Sequence, residues 1–250
     1  MAEVSRSYGW KRDKRDPRDL RFRLRAPARV PAVYDPREIM PAIRDQANLG
    51  SCTGFGVRTN AAAIANRQGR TFEPSPLFVY YCERVIEGTV RQDSGAEIRD
   101  GFKALSHYGA CAEKTWPYLV GKFAAKPPAA AYREALNHQA VIYSRVEQTQ
   151  AALKTCLSSG QLVTFGFDVF SSFESDQVAK TGRVPLPNVK REELLGGHCV
   201  CLVGYNAAGA IAANSWGTDW GAKGYCYLPW SYLTNTDLAS DFWTLQTIEG

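Results

Sequence analysis

The feature that most constrains the fold is a change of pattern halfway along the chain. Helix-type composition and end signals predict helices in the first half, at residues 57–67, 75–86 and 96–108. A further helix is predicted at 148–159. Apolar or alternating runs predict strands in the second half, at 161–169, 198–205, 210–214 and 224–228. This order predicts an α+β fold with a helical N-terminal lobe, a β-rich C-terminal lobe and a cleft between them.

Length and composition are those of a folded chain. The 250 residues suffice for a sizeable core, and 45% hydrophobic with 22% charged residues is ordinary for a soluble globular protein. No apolar run approaches membrane-spanning length, and residues 1–10 lack the apolar stretch of a secretory signal. We therefore expect no membrane partner, and a location in the cytoplasm or export by a route that needs no classical signal peptide.

The chain has seven cysteines. An odd number leaves at least one unpaired, and without a secretory signal we expect most of them to be thiols. The sequence contains no Cys-x-x-Cys pair of the kind that binds zinc. We expect no metal and no other cofactor. Cys199 and Cys201 lie in an apolar run and are predicted to face opposite sides of a strand.

Four residues in three segments form a candidate catalytic set. Cys52 stands at an apparent helix start, where the positive end of the helix dipole favours a nucleophilic thiolate. His198 follows two glycines, and it can take the thiol proton and later give it to a leaving amine. Asn214 can accept a hydrogen bond that holds the imidazole in one tautomer. The amide of Gln46 can join the Cys52 N–H in an oxyanion hole.

The order of these residues resembles the papain family of cysteine peptidases. Gln46 and Cys52 have the spacing Gln-x5-Cys, His198 follows a glycine, and Asn214 begins the segment Asn-Ser-Trp-Gly-x-x-Trp-Gly. A single cysteine before a helix or a single buried histidine is more often structural, but together and in this order they are a strong signal. The resemblance covers about residues 31–228 and points to a bacterial-type branch with a short N-terminal arm.

The resemblance implies a papain-like two-lobe fold and hydrolysis of peptide bonds through an acyl-thioester. Cys52 would be the nucleophile, His198 the base and acid, Asn214 the orienting group and Gln46 the oxyanion donor. The enzyme would be a monomeric endopeptidase acting on a peptide or protein substrate. Two alternatives stay open, namely a catalytically silent papain-fold binding protein and a peptidase-related acyl transferase.

Six further residues match positions that contact substrate or protect the site in the family. Trp216 would shield the hydrogen bond between asparagine and histidine from water. Ser94 and Gly95 resemble a Gly-Gly strand that pairs with an extended substrate. Three small residues match positions that line a side-chain pocket: Gly166, Gly197 and Cys199. Their small size would admit a bulky apolar side chain two residues before the cut.

Residues 1–30 are predicted to form an N-terminal arm before a peptidase domain at 31–250, with lobes at about 31–120 and 121–250. Most of the net charge of +5 lies in this arm, where residues 11–25 hold eight Lys or Arg and three Asp. The interleaved Asp residues speak against a nucleic-acid partner.

Two hypotheses describe what this arm does. In the first, part of it packs on or near the cleft as an inhibitory pro-segment that hinders substrate. In the second, it is a structural strap, in which Leu20, Phe22 and Leu24 complete a sheet edge because they alternate with arginines in strand periodicity.

Overall fold

The computed structural model describes residues 6–23 and 29–249. The first half contributes three long helices, which are α1 (Cys52–Arg67), α2 (Pro76–Glu87) and α3 (Ile98–Tyr108). The start of α2 shows why the sequence signals succeed, because the Ser75 hydroxyl accepts a hydrogen bond from the Phe78 N–H at 3.1 Å and Pro76 takes the first helical position. All three helices confirm the predicted helical half.

Shorter helices follow. They are α4 (Ala129–Ala135), α5 (Gln150–Ser158), α6 (Asp176–Thr181) and α7 (Trp230–Leu233), with 3₁₀ turns at Arg37–Ile39, Val120–Lys122 and Ser171–Glu174. The helix predicted at 148–159 corresponds to α5. Helix α4 was not predicted from the sequence. Its Ala131 and Ala135 pack against Leu77 and Phe78 of α2.

The second half forms a six-stranded antiparallel sheet. In sequence order its strands are β3 (Ala140–Arg145), β4 (Val163–Phe170), β5 (Leu194–Asn206), β6 (Gly209–Ala213), β7 (Tyr225–Leu228) and β8 (Ala239–Ile248). They lie in the order β3-β8-β4-β5-β6-β7. The four predicted strands correspond to β4, β5, β6 and β7, while β3 and β8 were not predicted.

Helix α1 joins the two halves. Its residues Val57, Ala61 and Ile64 pack in one apolar cluster with Cys199 of β5 and Trp243 of β8. A second large cluster fills the other side of the sheet around Phe165, Phe167 and Leu202, among others. The α+β, two-lobe fold is therefore as predicted.

The prediction that Cys199 and Cys201 face opposite sides of β5 is wrong, because residues two apart on a strand share a face. Both thiols face α1: a Cβ added to Gly56 would lie 2.9 Å from the Cys199 sulfur, and Cys201 packs with Ala63.

The N-terminal arm touches both halves. Its short strand β1 (Trp10–Lys11) pairs in parallel with β2 (Ala96–Glu97) just before α3. Further along, Arg21 forms a parallel bridge with Arg145, at the end of the edge strand β3. Leu20 is exposed and Phe22 is half-buried, and Leu24 lies outside the described residues. The arm thus runs from the junction of the two halves to the sheet edge.

No helix in the described part of the chain is both long and apolar enough to cross a membrane.

Candidate active site

Cys52 is the first residue of α1 and is fully buried. Burial raises the pKa of its thiol to about 12, although backbone hydrogen bonds from Cys199 and from Gly9 of the arm act in the opposite direction. The helix start was expected to favour the thiolate. With the arm in place, loss of water outweighs that effect, and the thiol form is favoured.

His198 on β5 and Asn214 just after β6 are hydrogen-bonded to each other. His198 Nε2 lies 2.8 Å from Asn214 Oδ1, which also accepts a hydrogen bond from the Ser215 N–H at 2.8 Å. Because Oδ1 is an acceptor, Nε2 carries the proton and Nδ1 keeps its lone pair. Nδ1 is buried and has no hydrogen-bond partner among the described residues. Burial lowers the pKa of His198 to about 4, so the ring is neutral.

The side chain of Gln46 is buried and fixed at both ends. Its Oε1 accepts a hydrogen bond from the Ser215 hydroxyl at 2.5 Å. Its Nε2 donates to the Leu49 carbonyl at 2.8 Å and to the carbonyl of Ser7 in the arm at 3.1 Å. The amide therefore points its donor at a peptide carbonyl that lies in the cleft.

Trp216 covers the His198 ring, with ring centroids 5.2 Å apart and planes 30° apart. Phe173 and Trp220 pack behind it at 5.3 Å and 5.1 Å. This apolar cover lies where the sequence reading placed a shield for the hydrogen bond between His198 and Asn214.

The strand on the helical side of the cleft binds the arm backbone. The N–H of Ala96 donates to the Gly9 carbonyl at 2.8 Å, and a Cβ added to Gly95 would lie 2.0 Å from that same oxygen. The structure therefore places Gly95 against an extended chain. The Ser94 hydroxyl points elsewhere and donates to Thr89 at 2.8 Å.

The three predicted pocket residues surround one arm side chain, Trp10. A Cβ added to Gly166 would lie 1.9 Å from the Trp10 ring, and one added to Gly197 would lie 2.8 Å from it. Cys199 packs in the same apolar cluster as Trp10 and Cys52. The pocket exists because Gly166 and Gly197 lack side chains, and the Trp10 ring occupies it.

Two contacts of Tyr8 in this site were not predicted from the sequence. The ring of Tyr8 packs edge-on against His198 at 5.8 Å, and its hydroxyl is hydrogen-bonded to Glu174. Burial and that carboxylate raise the pKa of Tyr8 well above its usual range. The only local signal was an aromatic pair around a glycine, Tyr8-Gly9-Trp10, at the start of a charged segment.

Comparison with known proteins gives a consistent picture. A family model described as papain family cysteine protease matches residues 30–241. An uncharacterized peptidase C1-like protein of Acanthamoeba polyphaga mimivirus is 38% identical, over 99% of this chain and 89% of its own length. Cysteine proteinase 2 of Entamoeba histolytica is 29% identical over 73% of this chain, which spans 58% of that proteinase.

Among solved structures, xylellain, a cysteine protease from Xylella fastidiosa, is similar over almost the whole molecule. The two share 36% sequence identity, the TM-score is 0.89, and the match covers 99% of each chain. The similarity therefore extends beyond the helices and the sheet to the N-terminal part of the chain.

Proposed function

Since the chain belongs to the papain family of cysteine proteases, we propose that Cys52, His198, Asn214 and Gln46 are its catalytic residues and that its own arm inhibits it. The protein is a cysteine-type peptidase that acts on peptide or protein substrates. The observation that carries the inhibition is the hydrogen bond from the Gln46 amide to the Ser7 carbonyl. A backbone carbonyl of the arm takes the donor that a scissile carbonyl needs.

The proposed reaction gives each buried group of the site a role. His198 Nδ1, whose lone pair is free while Nε2–H donates to Asn214, accepts the Cys52 proton, and the thiolate attacks the substrate carbonyl carbon. The Gln46 Nε2–H and the Cys52 N–H stabilise the oxyanion. When the tetrahedral intermediate collapses, the C–N bond breaks and His198 protonates the leaving amine. Water then hydrolyses the acyl-thioester and restores the thiol.

The arm blocks this reaction at three places. Ser7 occupies the Gln46 amide, Gly9 pairs with the strand at Ala96, and Trp10 fills the pocket beside Gly166. Tyr8 and Gly9 also help to exclude water, because Tyr8 packs on His198 and Gly9 lies against Cys52. Exclusion of water disfavours the thiolate–imidazolium pair, so the docked arm lowers reactivity as well as access.

The division of the chain follows from the same proposal. The family match begins at residue 30, which supports an arm at 1–30 and a peptidase domain at 31–250. We propose that this domain acts as a monomer.

Gly9→Val tests the proposal in the full chain. A Cβ on Gly9 would lie 1.7 Å from the Gly50 carbonyl oxygen, so a valine cannot dock while the cleft walls stay unchanged. We expect a thiol-directed epoxide to label Cys52 at least about tenfold faster than in the unsubstituted chain, given the kcal-scale effect of a buried clash. Hydrolysis of a small peptide should rise in parallel.

Gly121→Val is the matched control, because nothing lies within 4 Å of a Cβ at that glycine. Equal labelling of the unsubstituted chain and Gly9→Val would contradict inhibition by the arm. A folded Gly9→Val protein that neither reacts with the epoxide nor cleaves peptides would favour a silent binding protein instead.

A further inference from the structure

Arg12 of the arm lies in a binding site of its own beside the pocket that holds Trp10. Its Nη2 donates to the Asp168 carboxylate at 2.9 Å and to the Asp237 carbonyl at 2.8 Å. Its Nη1 donates to the Thr236 carbonyl at 3.1 Å. The guanidinium carbon also lies 5.4 Å from the centroid of the Trp10 ring. We call the three acceptors on Asp168, Thr236 and Asp237 the guanidinium seat.

The chemistry of the seat suits arginine. One carboxylate and two carbonyls around a planar fork match the several fixed N–H donors of a guanidinium. A lysine ammonium is a compact point charge and does not present its donors in this plane. All three acceptors belong to β4 or to the turn before β8, so they remain when the arm leaves.

The seat and the Trp10 pocket are adjacent parts of one surface. Gly166 and Asp168 are two residues apart on β4 and therefore face the same side of the sheet. Trp10 and Arg12 are likewise two residues apart and lie on Gly166 and Asp168 respectively. The surface around Gly166 and Asp168 thus binds two side chains of the arm, Trp10 and Arg12, at the same time.

We propose that the guanidinium seat is a substrate subsite, so that the open enzyme prefers an arginine near a bulky apolar side chain. Asp168 is then a specificity-determining residue. This inference rests on the proposed function, because it takes the arm as the occupant that a substrate replaces. Among the described residues Arg12 is the one cation paired with Asp168, so departure of the arm leaves that carboxylate ready for another cation.

The test uses the full chain with Gly9→Val and Arg12→Gln, which empties the seat whatever the rest of the arm does. Peptides carry one leucine and an arginine placed in turn at each position on both sides of it. Each has a twin in which uncharged citrulline, of nearly the same shape, replaces arginine. At one position we expect kcat/KM to be about five- to tenfold higher for arginine, the range for a charged hydrogen bond at a partly exposed site.

Asp168→Asn in this background should bring that ratio close to one, and Asp168→Glu should restore part of it. Asp35→Asn is the matched control, since Asp35 also pairs with an arginine, Arg37, but packs near the far edge strand β7. In the enzyme that still has Asp168, a ratio near one at every peptide position would overturn the inference. So would a high ratio that survives Asp168→Asn.

The ratio compares two peptides on the same enzyme preparation, so it decides the inference even when only a small fraction of the molecules is open. Failure of inhibition by the arm has a different signature, namely equal epoxide labelling with and without Gly9→Val.

Discussion

The two sections of the arm hold to the enzyme by different physical means. The centre of the cleft section, residues 6–12, is held by shape, since Gly9 touches the Gly50 backbone and the Trp10 ring fills the space over two glycines. Ion pairs of Arg6, Lys11 and Arg12 lie on either side of this centre. The outer section, residues 13–23, is held by charge. Its buried Asp13 accepts hydrogen bonds from Arg145 at 2.8 Å and from the Trp243 indole at 2.7 Å.

The outer section also explains an odd feature of the sequence. Residues 11–25 are rich in Lys and Arg, yet the three Asp residues make the ion pairs with Arg99 and Arg145. Asp13 and Asp19 both pair with Arg145, at 2.8 Å and 2.7 Å, and Asp19 and Asp16 pair with Arg99 at 3.4 Å and 3.8 Å. A spacing of three residues thus presents successive carboxylates to two fixed cations. Shape therefore dominates at Gly9 and Trp10 in the centre of the cleft section, and charge dominates in the outer section.

Labelling and hydrolysis can compare the two sections of the arm only if Cys52 is the group that reacts. In the Gly9→Val chain, Cys52→Ala should lower kcat/KM by at least about 10³-fold, because the nucleophile is lost. Peptide hydrolysis measures this. Cys226→Ala removes another buried thiol, within the apolar cluster on the other side of the sheet, and should leave the rate within about twofold. Activity that survives Cys52→Ala would assign the chemistry to another group.

Trp10→Ala breaks the cleft section. Loss of a buried tryptophan costs about 3 kcal/mol in a folded core, and the arm can detach rather than keep the cavity, so we expect epoxide labelling to rise about 10- to 100-fold. Leu20→Ala in the outer section is the control, because that side chain is 63% exposed. If Trp10→Ala and Leu20→Ala label at the same rate, shape is not what closes the cleft.

Arg145→Ala breaks the outer section. It leaves Asp19 and Asp241 without their shared cation, so the free energy of unfolding should fall by about 3 kcal/mol, as measured by urea denaturation. Labelling should rise less than in Trp10→Ala, by about fivefold, since the cleft section keeps its own contacts. Arg18→Ala removes a salt bridge at an arginine that is 88% exposed and should change neither quantity measurably. Faster labelling than in Trp10→Ala would reverse the assignment of the two sections.

Features set by local signals could be predicted from the sequence, whereas features set by contacts between distant residues could not. The candidate catalytic set and most helices were predictable, because they depend on residue order and on local signals such as the Ser75 cap. Strand β8 was not, because Asp241 takes a positive φ of 59° and interrupts the alternation. The place of Trp10 was not predictable either, since it depends on space above Gly166, far away in the sequence.

The alternatives for the arm illustrate this limit further. Alternation of Leu20, Phe22 and Leu24 suggested a sheet edge, and the bridge from Arg21 to Arg145 agrees with it. The basic, amphipathic character suggested a cleft-covering segment, and residues 6–12 do lie in the cleft. The positions that the two hypotheses gave for the arm apply to different sections of it, and no local pattern could divide the arm between them.

The smallest expected effect is a pH dependence of the outer section. Asp13 is enclosed by Asp241 of β8, which repels its charge, and by Arg145, the Trp243 indole and the Arg99 N–H, which favour it. Burial comes first and Asp241 second, and together they raise the Asp13 pKa from 3.8 to about 7. A carboxyl with a raised pKa stabilises the docked arm while it holds a proton, and this contribution is lost as the pH rises through about 7.

We therefore expect the docked arm to weaken about threefold between pH 6.5 and 7.5. The measurement is the labelling rate of the unsubstituted chain divided by that of Gly9→Val at each pH, because division cancels the ionisation of Cys52 itself. Asp13→Asn, which keeps the shape and removes the titration, should make this ratio flat. A ratio that falls with rising pH, or one that Asp13→Asn leaves unchanged, would show that Asp13 is charged in the docked arm and that its ion pair outweighs burial and the repulsion of Asp241.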